Sequence, residues 1–225
     1  MAHRVGIIGL GTVGSRFVEQ FGSHDAFDLV AAWDHDAAAC ADHEDRVTIV
    51  ASAEDVVAAS ELVYIAVPPL FHATYVEACV GAGRAIFCEK PLGIDVAESR
   101  RLVEAVEGSE RPAAVNFVFG AAPSARRLLD EIAGGAIGDI VRADLRFHFC
   151  EWPRAWHARA QWLTRRDQGG WVREVASHFV FLAERLLGPL SLSDAVVGYP
   201  DGPDGHLSER WAAAEWTGAA PLTMA

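Results

Sequence analysis

The sequence predicts an α/β protein, with a doubly wound parallel sheet over residues 1–119 and a short α+β second domain with a mainly antiparallel sheet over residues 120–225. Three observations carry this expectation. Short, continuously apolar runs alternate with amphipathic helical segments through the first half. A glycine-rich turn joins the first run to the first helix. After Phe119 the rhythm changes to strands in which apolar and polar residues alternate. The length fits one and a half domains at about 150 residues each, and 51% hydrophobic with 22% charged residues suits a globular body.

The strands predicted at 5–8, 28–33, 47–50, 62–67, 85–88 and 113–119 are rich in Val, Ile, Leu, Ala or aromatics. Their unbroken apolarity implies burial on both faces. Helices are predicted over 12–21, where Val13, Phe17, Val18 and Phe21 recur at three- to four-residue spacing, and over 53–59, 71–80 and 97–106. Pro123 then opens a helix through Ile132 that stops at Gly134-Gly135. A long strand is predicted over 140–150, because Val141, Ala143, Leu145, Phe147 and Phe149 alternate with polar neighbours. An irregular stretch, 151–171, precedes a helix over 172–187 ended by Gly188-Pro189. Strands at 192–197 and 211–216 flank a turn region at 199–205.

Acidic residues outnumber basic ones 31 to 19, a net charge of −12 with no long acidic block. Nucleic acid or an anionic membrane would require clustered positive charge, so neither is an expected partner. Cys40, Cys79, Cys88 and Cys150 are well separated and form no C-x-x-C pair, which reads as free buried thiols in a reducing compartment. The N-terminus resembles neither a signal peptide nor a membrane span, and the expected location is the cytoplasm.

The first strand runs into Gly9-Leu10-Gly11-Thr12-Val13-Gly14, a G-x-G-x-x-G at a strand-to-helix junction. The first glycine permits the tight turn, the second lets a pyrophosphate approach the backbone, and the third lets helix and strand pack closely. Asp34, at the end of the second strand, is placed to accept from ribose hydroxyls and would repel a 2′-phosphate. NAD(H) is therefore favoured over NADP(H) on a Rossmann-type domain. Val67-Pro68-Pro69 ends a strand at the ligand crevice, with His72 either beginning a surface helix or lying near the cofactor. Glu89-Lys90-Pro91 ends another strand there, and Lys90 is either a solvated lysine or an amine aimed by its proline.

The glycine loop, Asp34, the 67–72 stretch and above all Glu89-Lys90-Pro91 resemble the glucose-fructose oxidoreductase and inositol dehydrogenase family, the Gfo/Idh/MocA family. The resemblance continues through Ile137-Gly138-Asp139-Ile140 and through 169–178. It implies a two-domain nicotinamide-dependent dehydrogenase or reductase acting at a carbonyl or alcohol carbon of a small-molecule substrate. Lys90 would contact the reacting oxygen, and His178, with Glu174 four residues earlier, would serve as acid/base. Val67, Pro68, His72, Glu89 and Lys90 would line the cofactor site beside the glycine loop. Glu174 and His178 at i and i+4 share one face of the predicted helix, which agrees with that mapping; the plain alternative is a surface ion pair or a satisfied core histidine. The rival reading is a catalytically inactive dinucleotide-binding sensor. A homoserine-type dehydrogenase, suggested by Gly11-Thr12-Val13-Gly14, fits Glu89-Lys90-Pro91 less well.

The chain departs from the family pattern in three ways. Glu174 stands where an aspartate is usual. Val118-Phe119-Gly120-Ala121-Ala122-Pro123 replaces an Asn-Arg-Arg-like turn, removing a polar substrate contact. The second domain is short, implying either a truncated member or a compact one completed by a partner, with homo-oligomerisation expected through the second-domain sheet. One stretch lies outside the pattern: Trp152, Trp156, Trp162 and Trp171 with Arg154, Arg159, Arg165 and Arg166, read either as a pocket wall or lid, or as packing between the domains in which arginine stacks on tryptophan. No metal is expected, since His148 and Cys150 have the wrong spacing for a zinc site.

Overall fold

The computed structural model describes residues 1–157, 160–201 and 205–225; Arg159 and residues 202–204 of the turn region lie outside the described residues. The chain forms two compact units, Met1–Asn116 and Phe117–Ala225. Phe117 and Phe119 go with the second, because their rings pack on Phe181 and Phe179.

In the first unit β1 (His3–Ile8), β2 (Phe27–Trp33), β3 (Leu62–Ile65), β4 (Ala85–Cys88) and β5 (Ala113–Val115) form one parallel sheet in the order β2-β1-β3-β4-β5. Helices α1 (Thr12–Gly22), α2 (Ala37–Ala41), α3 (Ala53–Ala59), α4 (His72–Gly81) and α5 (Val96–Gly108) alternate with them. The two-residue period of a strand explains the layering. Val5, Ile7 and Tyr64 point to one face, against Val18 and Phe21 of α1. Ile8, Val63 and Ile65 point to the other, against Val56, Val76 and Leu102. Side-chain caps start three of the helices: Asp36 accepts from the Ala38 N–H, Ser52 from that of Asp55 and Asp95 from that of Glu98. The chain steps from β1 outward to β2 and back across to β3, so their carboxyl ends flank a topological switch point where a ligand crevice belongs.

Three predicted strands contract. The 62–67 run pairs only over Leu62–Ile65, and the chain then turns through Pro68 into a one-turn helix at Pro69–Phe71. Residues 47–50 make a single bridge, Ala32 to Ile49, because Val47 turns into the core beside α2 instead of extending a ladder. The 113–119 run pairs only to Val115; residues 118–120 then coil into a one-turn helix.

The second unit carries α6 (Pro123–Ala133), β6 (Ala143–Leu145), α7 (Ser177–Leu187), β7 (Ser191–Gly198), β8 (Trp211–Thr217) and β9 (Leu222–Met224). Its sheet has the order β6-β9-β8-β7 and is mixed: β7–β8 and β8–β9 are antiparallel, whereas β6–β9 is parallel. The strand expected over 140–150 pairs only across 143–145, where β9 lies beside it, with one further bond from the Phe147 N–H to the Ala225 carbonyl. β9 was not anticipated; three residues carry too little periodicity to read. The helix expected over 172–187 begins as a π turn, Val172–Ala176, before α7.

Packing accounts for much of the Trp- and Arg-rich stretch. Trp171 lies against Phe147 and Phe149, and Trp152 against Phe149. Arg154 sits over Phe149 at 5.2 Å, and Arg166 over Tyr199 at 3.7 Å. Arg165 pairs with Asp167 through two hydrogen bonds. Cys40, Cys79 and Cys88 are buried free thiols and Cys150 is an exposed one; burial pushes the Cys79 thiol up to about 12. Among the described residues, no helix is long and apolar enough to cross a membrane, and no group of three or more His, Cys, Asp or Glu side chains could hold a metal ion.

Candidate functional site

The loop between β1 and α1 is built so that only glycine fits at two of the three glycine positions of its G-x-G-x-x-G and nothing fills the space beside the third. Gly9 has φ +99°, and a Cβ there would lie 2.7 Å from the Ala66 carbonyl carbon. A Cβ at Gly14 would run into the Gly9 carbonyl oxygen. A Cβ at Gly11 would meet nothing within 4 Å. The space is thus open where a pyrophosphate approaches the backbone, at a helix start whose cap, Gly11, offers no side chain to its N–H groups. The loop fits a dinucleotide.

Asp34 is tied to this loop. Its Oδ2 accepts the Leu10 N–H at 2.6 Å, its Oδ1 accepts the Asp36 N–H at 2.8 Å, and His35 Nδ1 lies 3.0 Å away. A carboxylate so held keeps lone pairs for ribose hydroxyls. Below the loop, Ser15 Oγ donates to the Leu10 carbonyl at 2.8 Å and accepts from His43 Nε2 at 2.9 Å. Sequence reading missed this support, because His43 is 28 residues from Ser15 and has no motif around it.

The two strand-end stretches behave differently from simple crevice lining. His72 is fully buried, with Nε2 2.9 Å from the Val67 carbonyl and Nδ1 3.1 Å from the Leu92 carbonyl. It straps one stretch to the other. Burial outweighs the two carbonyls and lowers its pKa from 6.5. Below pH 6.5 the unfolded chain therefore binds a proton that the native state resists, so this residue's contribution to stability is lost as pH falls. Wild-type protein is expected to lose more melting temperature between neutral pH and about pH 5 than His72→Gln does, relative to each at neutral pH. Equal losses would refute the assignment.

Glu89 and Lys90 are 9% and 8% exposed at the end of β4, and the Lys90–Pro91 bond is cis. The Glu89 carboxylate accepts from the Tyr64 hydroxyl, the Asn116 amide and the Lys90 backbone N–H. Tyr64 and Asn116 were absent from the sequence-derived site. The sequence carries one further signal at this site: Lys90 is the single lysine of a chain with 18 arginines.

In the second unit, Glu174 lies inside the π turn and His178 follows in the first turn of α7. π turns recur at functional positions. His178 meets Phe117 and Phe119 edge-on, at 5.8 and 6.0 Å between ring centroids, and Phe117 stacks on Phe181 at 4.6 Å. The π turn is anchored from β8's approach by Glu209, buried at 7% exposure, whose Oε1 accepts the Val172 N–H at 2.7 Å. Gly170, at φ +99°, leaves room for that carboxylate. Glu209→Ala is expected to cost about 1–3 kcal/mol by leaving a buried N–H unpaired, read as a shift in the denaturant midpoint. Trp152, Trp171, His148, Glu209 and Trp211 also line an open cleft of about 930 Å³ in this unit.

Residues 3–117 match the family model described as an oxidoreductase family with an NAD-binding Rossmann fold, GFO_IDH_MocA. An inositol 2-dehydrogenase of Cereibacter sphaeroides is 38% identical over 116 residues, which cover 49% of this chain and 35% of that protein. The chain thus spans about a third of the length of that curated relative. Among solved structures, KijD10, a 3-ketoreductase from Actinomadura kijaniata in complex with NADP and TDP-benzene, superposes with a TM-score of 0.85 at 20% identity, covering all of this chain and 69% of that one. GenD2 from gentamicin A biosynthesis, in complex with NAD, gives a TM-score of 0.85 at 20% identity, covering 99% and 65%. At these identities the structural likeness shows the fold.

Proposed function

Because the chain belongs to the Gfo/Idh/MocA oxidoreductase family, we propose that it transfers a hydride between NAD(H) and a ring carbon bearing a secondary alcohol or ketone in a small cyclic metabolite. The observation that carries this is the cleared glycine loop with Asp34 bonded into it, on the same sheet edge as the β4 end, beyond β3, that presents the chain's single lysine.

A bound nicotinamide dinucleotide supplies the hydride acceptor or donor. The chain's residues do the rest. Gly11, Thr12, Val13 and Gly14 turn helix-start N–H groups to the pyrophosphate, while Gly9 and Leu10 shape the turn, their N–H groups taken by the Trp33 carbonyl and Asp34. Asp34 takes the adenosine ribose. Val67 and Pro68 shape the crevice wall, and His72 and Glu89 hold the wall's backbone rather than touching the dinucleotide. Lys90 places an ammonium beside the substrate oxygen and stabilises the charge that develops there. His178 takes or returns the hydroxyl proton, and Glu174 orients it. Phe117, Phe119 and Phe181 favour a substrate that turns a C–H face of its ring toward His178.

Purified protein is expected to quench or enhance NADH fluorescence on binding and to reduce NAD with a cyclic vicinal alcohol; myo-inositol and cyclohexane-1,2-diol are the first pair to compare. Binding without turnover of any cyclic alcohol would leave the sensor reading in its place. Asp34→Ala is expected to lower the preference for NADH over NADPH by about tenfold or more, the removal of roughly 1.4 kcal/mol of charge repulsion. An unchanged ratio removes Asp34 from cofactor choice. Self-association is proposed through the second-unit sheet, where Leu192, Val196 and Val197 of β7 are exposed; a monomer by light scattering counts against it.

A further inference from the structure

We propose that Tyr64 and Asn116 are positioning residues for Lys90, acting through the Glu89 carboxylate. The proposal rests on the reading of Lys90 given above. Tyr64 stands in β3 with no exposed surface, and its hydroxyl donates to Glu89 Oε1 at 2.5 Å. Asn116, one residue past β5, donates from Nδ2 to the same oxygen at 2.6 Å. Glu89 Oε2 accepts the Lys90 backbone N–H at 3.3 Å. Groups from β3, β4 and the end of β5 therefore converge on one carboxylate, whose residue precedes the lysine.

The surroundings separate this role from ordinary packing. The Tyr64 ring lies among Phe17, Phe21 and Phe87, with centroids at 4.1, 5.9 and 5.2 Å. A phenylalanine would fill that space with no polar atom to satisfy, so packing alone does not call for the hydroxyl. Burial and the charge of Glu89 push the phenol pKa far up, so Tyr64 stays a hydrogen-bond donor throughout the working range and does not shuttle protons. Two donors on one carboxylate oxygen fix the Glu89 rotamer, and with it the point where Lys90 leaves the strand. Beyond the proline, the Leu92 carbonyl lies 3.1 Å from buried His72. The 89–92 turn is held at both ends, as a positioned catalytic amine requires.

The single lysine makes the test direct. Reductive methylation with carbon-13 formaldehyde labels only Lys90 and the N-terminal amine. In the full wild-type chain the Lys90 resonance is expected to be sharp and displaced from that of free dimethyl-lysine. Tyr64→Phe and Asn116→Ala should move it toward the free position. Val76→Ala, a core change in α4 that removes none of the hydrogen bonds to Glu89, should lower the melting temperature without moving it. A resonance unmoved in both variants overturns the proposal, as does one moved equally by Val76→Ala. In turnover, Tyr64→Phe is expected to lower kcat by about 10²-fold, the cost of a displaced catalytic group, with NADH affinity unchanged; a loss confined to NADH affinity overturns it too. Should Lys90→Ala leave turnover intact while the resonance still moves in Tyr64→Phe, the catalytic reading fails and the positioning stands.

Discussion

Lys90→Ala is expected to lower hydride transfer by about 10²–10³-fold, the range for removing one preorganised group that stabilises developing charge, while NADH still binds. The lysine leaves the end of β4 with little exposed surface, so water would screen its ammonium poorly. Truncation also empties the volume of a long side chain, and Lys90→Met keeps that volume without the charge. The two variants should therefore match in turnover and differ in melting temperature. Turnover retained in Lys90→Met would show that the charge plays no part in the reaction. Because no other lysine exists, acylation of side-chain amines in the wild-type chain should reproduce the loss.

The second large effect concerns the glycine loop, where two alanine substitutions should separate folding from binding. At Gly14 a Cβ collides with the Gly9 carbonyl, which is backbone and cannot swing away. Gly14→Ala is expected to cost about 3 kcal/mol or more, as overpacking of a close helix–strand contact, and to lose NADH binding with it. Gly11 is the opposite case. Its backbone, φ −67° and ψ −162°, is open to alanine, and the added Cβ enters empty space. Gly11→Ala should leave the melting temperature within the small range typical of surface changes, about 0.5 kcal/mol, yet abolish NADH binding by occupying the pyrophosphate's approach. Full NADH affinity in Gly11→Ala would mean that the dinucleotide does not lie across this loop.

Much of the first unit was legible because its signals are local. A strand, a glycine turn and a helix follow one another within 22 residues, and each is recorded in periodicity or in a backbone demand that few residues meet. The strand 85–88 and the helix 53–59 appear with the bounds their apolar runs suggest. Legibility fell where pairing depends on a distant neighbour. Residues 140–150 alternate as a strand should, yet only three pair, because a strand persists where another lies beside it. The π turn at Val172–Ala176 lies where the periodicity predicts plain helix, since a widened turn and an α-turn share nearly the same apolar spacing.

Residue order by itself determined the architecture of the first unit, the glycine loop, Asp34 at the end of β2 and the lysine at the end of β4. These follow from short-range rules: two- and 3.6-residue periods, the φ that glycine alone accepts, and the position of a charge at a strand terminus. Only the tertiary structure decided what those residues touch. Asp34 accepts from Leu10, His43 supports Ser15, and Glu89 gathers Tyr64 and Asn116, across separations of 24 to 28 residues. In a parallel sheet every neighbour is reached through a helical crossover. Partners of that kind meet because β1, β2, β3, β4 and β5 lie side by side, and a side-by-side arrangement leaves no mark in the spacing of the chain.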